Sequence, residues 1–181
     1  TDVISIEVTD GSVAAANLTS IAAKTSVAVD ANAVSTITGS VEQIAAVVAA
    51  DTASVPTITL DGDYIATASG TGTVDQVNTI KDNTTGTITA EIVGTETVAE
   101  LKTLITGAGD AIIITVPGVG VAATDLTALD LLTSLAVVAT GITALSGELS
   151  EVNAVLSASG ITTSGDVNIT LDTGISVSEF N

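Results

Sequence analysis

Short alternating runs and longer helical ones take turns along this chain. ISIEVTDG (4–11), TITLDG (57–62), IIITVPG (112–118) and NITLDTG (168–174) each place Ile, Val or Leu at every second position and close on glycine. That is the pattern of a half-buried strand leading into a turn. A helical pattern follows each: SVAAANLTSIAAK, TVDQVNTIKDN, VAATDLTALDLLTS and the shorter SVSEFN. Aligning Ile6, Ile58, Ile114 and Ile169 shows a nearly even spacing. The helix anchors Leu18, Val77, Leu126 and Phe180 then fall in line, as do Ile21, Ile80 and Leu129.

A second kind of unit alternates with the first, over 25–50, 85–107 and 134–160, each an extended stretch, a glycine turn and a helix. Its turn glycines Gly39, Gly94 and Gly147 recur at nearly the same interval. The period is about 54 residues, built of two β-α half-units of about 27, a size found among strand-plus-helix solenoids. Ser40-Val-Glu-Gln43, Thr73-Val-Asp-Gln76, Thr97-Val-Ala-Glu100 and Ser176-Val-Ser-Glu179 are capping boxes that mark helix starts. Behind them, Val41/Ile44/Ala45/Val48 and Val98/Leu101/Leu104/Ile105 each trace one helical face.

Strands joined through helices imply parallel pairing. The expected fold is therefore α/β, a repeat solenoid of alternating β-strand/α-helix half-units with a parallel sheet. It forms one domain over 1–181, with double repeats at about 2–55, 56–110 and 111–160 and a partial one at 161–181. Seven parallel strands in sequence order give a sheet about 30 Å long. Ile6, Ile58, Ile114, Ile169, Val29, Leu18, Leu126, Leu101 and Val152 are expected in one continuous core.

Charge narrows the chemistry. Asp and Glu number 21 against three lysines (Lys24, Lys81, Lys102), a net charge of −18, with no Arg, His or Cys. Such a polyanion repels nucleic acid and anionic lipid surfaces and attracts cations. Without imidazole or thiol there is no ordinary general base, thiolate nucleophile or Cys/His zinc site. Tyr64 and Phe180 are the only aromatics, too few to grip a sugar beside a carboxylate pair. An enzyme is not expected. No run of 18 apolar residues lacks a charge or turn-former, so no membrane insertion is expected either. The chain opens TDVISIEV, without Met or a basic leader, as a processed product or an excised segment does.

Three motifs remain. Gly118-Val-Gly120-Val-Ala-Ala123 follows an apolar strand and precedes a helical pattern, matching the dinucleotide-binding fingerprint G-x-G-x-x-G/A. Yet it stands where TDGSVAA, LDGDYIA and LDTGISV stand in the other units, and the strand LAVVAT that follows ends at Thr140 with no acid for a ribose. No organic cofactor is expected there. Asp61 and Asp63, with Asp10 and Asp172 at the other strand ends, are weak calcium candidates, since calcium takes carboxylate and carbonyl oxygens. If Ile6, Ile58, Ile114 and Ile169 face inward, Glu7, Thr59, Thr115 and Thr170 face outward with Thr87 and Thr89. A threonine-rich sheet face of that kind suits ice, a glycan or a mineral.

The alternation in LTSIAAKTSVAVDANAVSTITGSVEQIAAVVAA and VNTIKDNTTGTITAEIVGTETVAELKTLI resembles repeats of very long cell-surface proteins of cyanobacteria and other marine bacteria, adhesin-like or hemolysin-type. The likeness spans essentially the whole chain. It implies secretion, a role at the bacterial cell surface or in the extracellular matrix, and calcium, but carries over no catalytic residue. The expected function is a non-enzymatic building block of a surface layer, fibre or adhesin stalk. A binding module presenting the threonine face is the alternative. The chain starts in a strand and stops one turn into a helix, without the polar caps that solenoids need. Ile4, Ile6 and Val8 at one end, and Ile169, Leu171 and Phe180 at the other, are expected to pair head-to-tail with another copy or with flanking repeats of a longer chain.

Overall fold

The structure is a computed structural model in which residues 2–172 are described. Twelve short strands and six helices alternate among them. The first half runs β1 (Ser12–Ala14), α1 (Ala15–Ala22), β2 (Val29–Asp30), β3 (Thr36–Ser40), α2 (Val41–Asp51), β4 (Ile58–Thr59), β5 (Ile65–Gly72), α3 (Val74–Lys81) and β6 (Ile88–Ile92). The second runs α4 (Val98–Leu101), β7 (Ala111–Ile113), β8 (Gly120–Ala122), α5 (Ala123–Asp130), β9 (Val137–Ala139), β10 (Ala144–Gly147), α6 (Leu149–Ser157), β11 (Ile161–Thr163) and β12 (Asn168–Leu171).

Every strand pair among the described residues is parallel, and strand numbers rise in order across each sheet. The expected single sheet of seven strands is not what forms. Four sheets do, in the orders β1-β3-β5-β6-β7, β8-β10-β12, β9-β11 and β2-β4. Five extended stretches, though not that of β6, bend at a short turn into two strands that join different sheets: Leu60–Tyr64 separates β4 from β5, and Thr140–Thr143 separates β9 from β10. Glycine, proline and aspartate at these corners set the bends.

Two ladders of inward side chains result. Glu7 bridges Asp30 and Val29 pairs with Ile58, so Ile6, Val29 and Ile58 stack, as do Ile114, Val137 and Ile161 further on. On the neighbouring face Val13, Ile37, Ala66 and Ile88 stack, followed by Val121, Leu145 and Ile169. Ile169 therefore belongs to the second ladder, not to the row of Ile6, Ile58 and Ile114. It is 50% exposed, because among the described residues β12 has a strand on one side only. Leu18, Val29, Ile58, Leu101, Ile114, Leu126 and Val152 share one core, and Ile6 packs at its edge.

Helix starts follow the capping signals. Ser40, Thr73 and Thr97 each accept from the backbone of the third helical residue, whose side chain reaches back. The box at Ser176 and the anchor Phe180 lie outside the described residues. The helical face expected to reach Ile105 is cut short: α4 ends at Leu101, and Ile105 is exposed and donates its N–H to Asn78 Oδ1 at 2.7 Å. Gly39 and Gly147 close strands beside helix starts with φ of 154° and 149°, whereas Gly94 sits in a loop without a positive φ and is not their equivalent.

Candidate functional site

Among the described residues the sheet with the most strands is the five-stranded one, and its outer face carries a row of threonines. Thr38, Thr67 and Thr89 are successive partners in β3, β5 and β6, flanked by Ala14 and Ala111. Thr36 pairs with Ile65 one step along. Neighbouring strands lie about 4.8 Å apart, so these hydroxyls and methyls form a short ladder at that spacing. Thr67, Thr87 and Thr89 are exposed and Thr38 is half-buried. Thr59 and Thr115, expected in one array with them, sit half-buried on other strands, Thr59 in β4 and Thr115 bridged to Val138. Thr170 is exposed on β12, in the sheet with β8 and β10. The threonines thus divide among several sheets.

The glycine turn does not have the strand-turn-helix form that a dinucleotide site requires. A second strand, β8, stands between Gly118 and the start of α5 at Ala123. A Cβ on Gly118 would come within 3.0 Å of the Gly141 carbonyl oxygen, so this glycine lets two corners of the chain approach each other.

Asp10, Asp61 and Asp63 are exposed at the bends that lead into β1 and β5. Asp172 is exposed after β12, at a different corner, and Asp166 precedes β12 as Asp63 precedes β5. Among the described residues no group of three or more Asp or Glu side chains is placed to hold a metal ion.

One buried charge cluster exists that the sequence pattern did not single out. Asp110 is 1% exposed. Its Oδ1 accepts from the Ile88 N–H at 2.9 Å, its Oδ2 accepts from the Gly107 N–H at 2.7 Å, and the Lys81 ammonium lies 3.2 Å from Oδ2. Lys81 Nζ also donates to the Gly86 carbonyl at 3.1 Å. With charge and hydrogen bonds both satisfied, the cluster fastens the 107–110 loop to α3 and β6 rather than offering a reactive group. The readable signal was scarcity: Lys81 is one of three lysines, and Lys102 is likewise paired with a residue distant in sequence, Asp125, at 2.6 Å. A shallow hollow of about 370 Å³ beside the cluster is lined by Thr106–Asp110 and Leu131–Ser134, and its one titratable group is the engaged Asp110. The Tyr64 hydroxyl is buried without a hydrogen-bond partner, and desolvation, with Asp51 nearby, pushes its pKa well up. Its neighbour Thr84 donates to the Tyr64 carbonyl instead.

The residues expected at assembly ends divide as well. Ile4 and Ile169 are each 50% exposed, Ile6 and Leu171 are half-buried, and Val8 is buried, donating its N–H to the Asp30 carbonyl at 2.8 Å. No helix among the described residues is long and apolar enough to cross a membrane. The class defined by these features is an α/β protein of parallel sheets. Set against known protein families, curated proteins and solved structures, the chain matches none.

Proposed function

We propose that this protein is a non-enzymatic structural element of a bacterial exterior: a β-α solenoid that serves as a building block of a surface layer, fibre or adhesin stalk. The observation that carries the reading is the register. Ser12 faces Thr36, Gly120 faces Ala144, Ala144 faces Asn168 and Val137 faces Ile161. Each of these steps brings the chain back beside itself after the same length of chain, the size of one strand-plus-helix repeat. Elsewhere the step is a little shorter, from Ala66 to Ile88, or a little longer, from Thr36 to Ile65. A chain that stacks on itself with parallel strands exposes a strand edge at each extreme, and such edges accept further strands. The −18 charge keeps an extended particle soluble, repels nucleic acid and gathers cations, calcium among them, as counter-ions around Asp10, Asp61 and Asp63.

Negative-stain electron microscopy of the purified protein tests the reading. Filaments or ordered layers that grow with concentration are expected; discrete particles of monomer mass at every concentration would overturn it.

The Thr38–Thr67–Thr89 ladder favours a second reading, a binding module that offers this face to ice, a glycan or a mineral. It predicts that Thr67→Lys abolishes retention on such a surface while leaving the melting temperature within a few degrees. Retention unchanged by that substitution excludes the threonine face.

A further inference from the structure

Two stretches of the chain, far apart in sequence, make the same hydrogen bonds position for position. Thr25 Oγ1 donates to the Ile4 carbonyl and accepts from the Ile4 and Val27 N–H groups. Thr133 Oγ1 does the same with Ile112 and Leu135. Ser26 holds the Asp2 carbonyl as Ser134 holds that of Asp110. The Val8 N–H meets the Asp30 carbonyl as the Val116 N–H meets that of Val138. Ala15 packs under Gly39, a Cβ on which would lie 3.3 Å from its methyl, and Ala123 lies under Gly147 at the same 3.3 Å. The offset between the two stretches never changes, so the face Asp2–Val13 is the structural equivalent of Asp110–Val121.

The two faces differ in what covers them. Over the second, β6 pairs in parallel with β7, setting Thr89, Ala90 and Glu91 beside Ala111, Ile112 and Ile113. Lys81 and the N–H groups of Gly107 and Ile88 satisfy Asp110. Ile112 and Ile114 are 0% exposed there. Over the first face no described residue plays that part: Val3 is 84% and Ile4 50% exposed, and the Asp2 side chain is exposed.

We infer that the face Asp2–Ser5 is a docking surface for one β-α coil of the kind formed by residues 74–109. That coil brings a parallel strand against Val3–Ser5 and a lysine ammonium to the Asp2 carboxylate. The inference rests on the stacking reading above and adds to it the identity of the occupant. A helix followed by an extended strand, with the lysine at the helix C-terminus and a glycine three residues before the aspartate, is the chemistry that satisfies this face where its equivalent is covered. The negative Asp2 and the apolar Val3 and Ile4 ask for the same two things that Asp110 and Ile112 receive.

The test lengthens the chain rather than cutting it. A second copy of residues 74–109 is joined directly ahead of Asp2, recreating the Gly-Asp junction of Gly109-Asp110. Hydrogen exchange over Val3–Ser5 should slow at least tenfold relative to the unextended chain, and the protein should remain a monomer in light scattering. A scrambled extension, or one whose copy of Lys81 is replaced by Met, should protect these amides far less. In the extended protein Ile4→Thr should lower the melting temperature about as much as Ile112→Thr does, whereas in the unextended chain Ile4→Thr should shift it little. Unchanged exchange over Val3–Ser5, equal protection by the scrambled extension, or dimers in place of an ordered extension would each overturn the inference. Filaments of the unextended protein in the microscope would leave the structural role standing even then.

Discussion

At the scale of single residues, the Lys81–Asp110 pair decides more than any surface charge. Both side chains are withdrawn from water, with relative exposures of 12% and 0%. A surface pair contributes little, but removing one member of a buried pair leaves an uncompensated charge at a cost of about 3–5 kcal/mol. Lys81→Met and Asp110→Ala should each lower the unfolding free energy by roughly that amount in denaturant titrations. The double substitution should cost less than the two single ones together, because it leaves no orphaned charge. Losses below about 1 kcal/mol in both single variants would show that the loop 107–110 is held some other way. The pair was hard to read in the sequence because its members lie far apart along the chain and only the fold brings them together. The inward apolar positions were easier: Val29, Ile58 and Ile114 followed from strand alternation, and Leu18 and Leu126 from the helical patterns behind the strands. Ile169 was placed one row off because NITLDTG and TITLDG look alike, although their strands join different sheets.

At the scale of elements, helix starts were legible and helix ends were not. A capping box is a local statement in four residues, and those at Ser40, Thr73 and Thr97 form as written. The end of α4 depends on distant groups: Asn78 holds the Thr103 carbonyl and the Ile105 N–H, pulling the chain out of its helix after one turn. That one turn is fixed at its start by Glu100, which accepts from the Thr97 N–H and hydroxyl at 2.7 Å each. These bonds, the backbone one foremost, hold the Glu100 carboxyl below its usual range. A carboxylate with a lowered folded-state pKa contributes stability that is present above its unfolded value and lost as pH falls through the folded one. An NMR titration should place the Glu100 midpoint below that of an ordinary glutamate, and Thr97→Ala should move it upward. A midpoint indifferent to Thr97 would detach the shift from the cap.

At the scale of the whole molecule, parallel pairing and sequence order were legible, since strands connected through helices leave little choice. The division into four sheets was not. A short bend inside an extended stretch, such as Leu60–Tyr64, separates two strands of different sheets, yet to a period-2 pattern it looks like an ordinary strand end. The same arrangement has a mechanical side. Because the ladder bonds of every strand pair join one pass of the chain to the next, a pull between Asp2 and Asp172 loads those rungs one after another rather than all at once. Releasing one pass, such as the step from Gly120 to Ala144, frees about 80 Å of extended chain. Single-molecule force traces should therefore show several small, similar rises of that order, where a fold sheared as one block would give a single tall one. A chain folded this way would lengthen under load by yielding one pass at a time, each pass free to close again on the one beneath it when the load is removed.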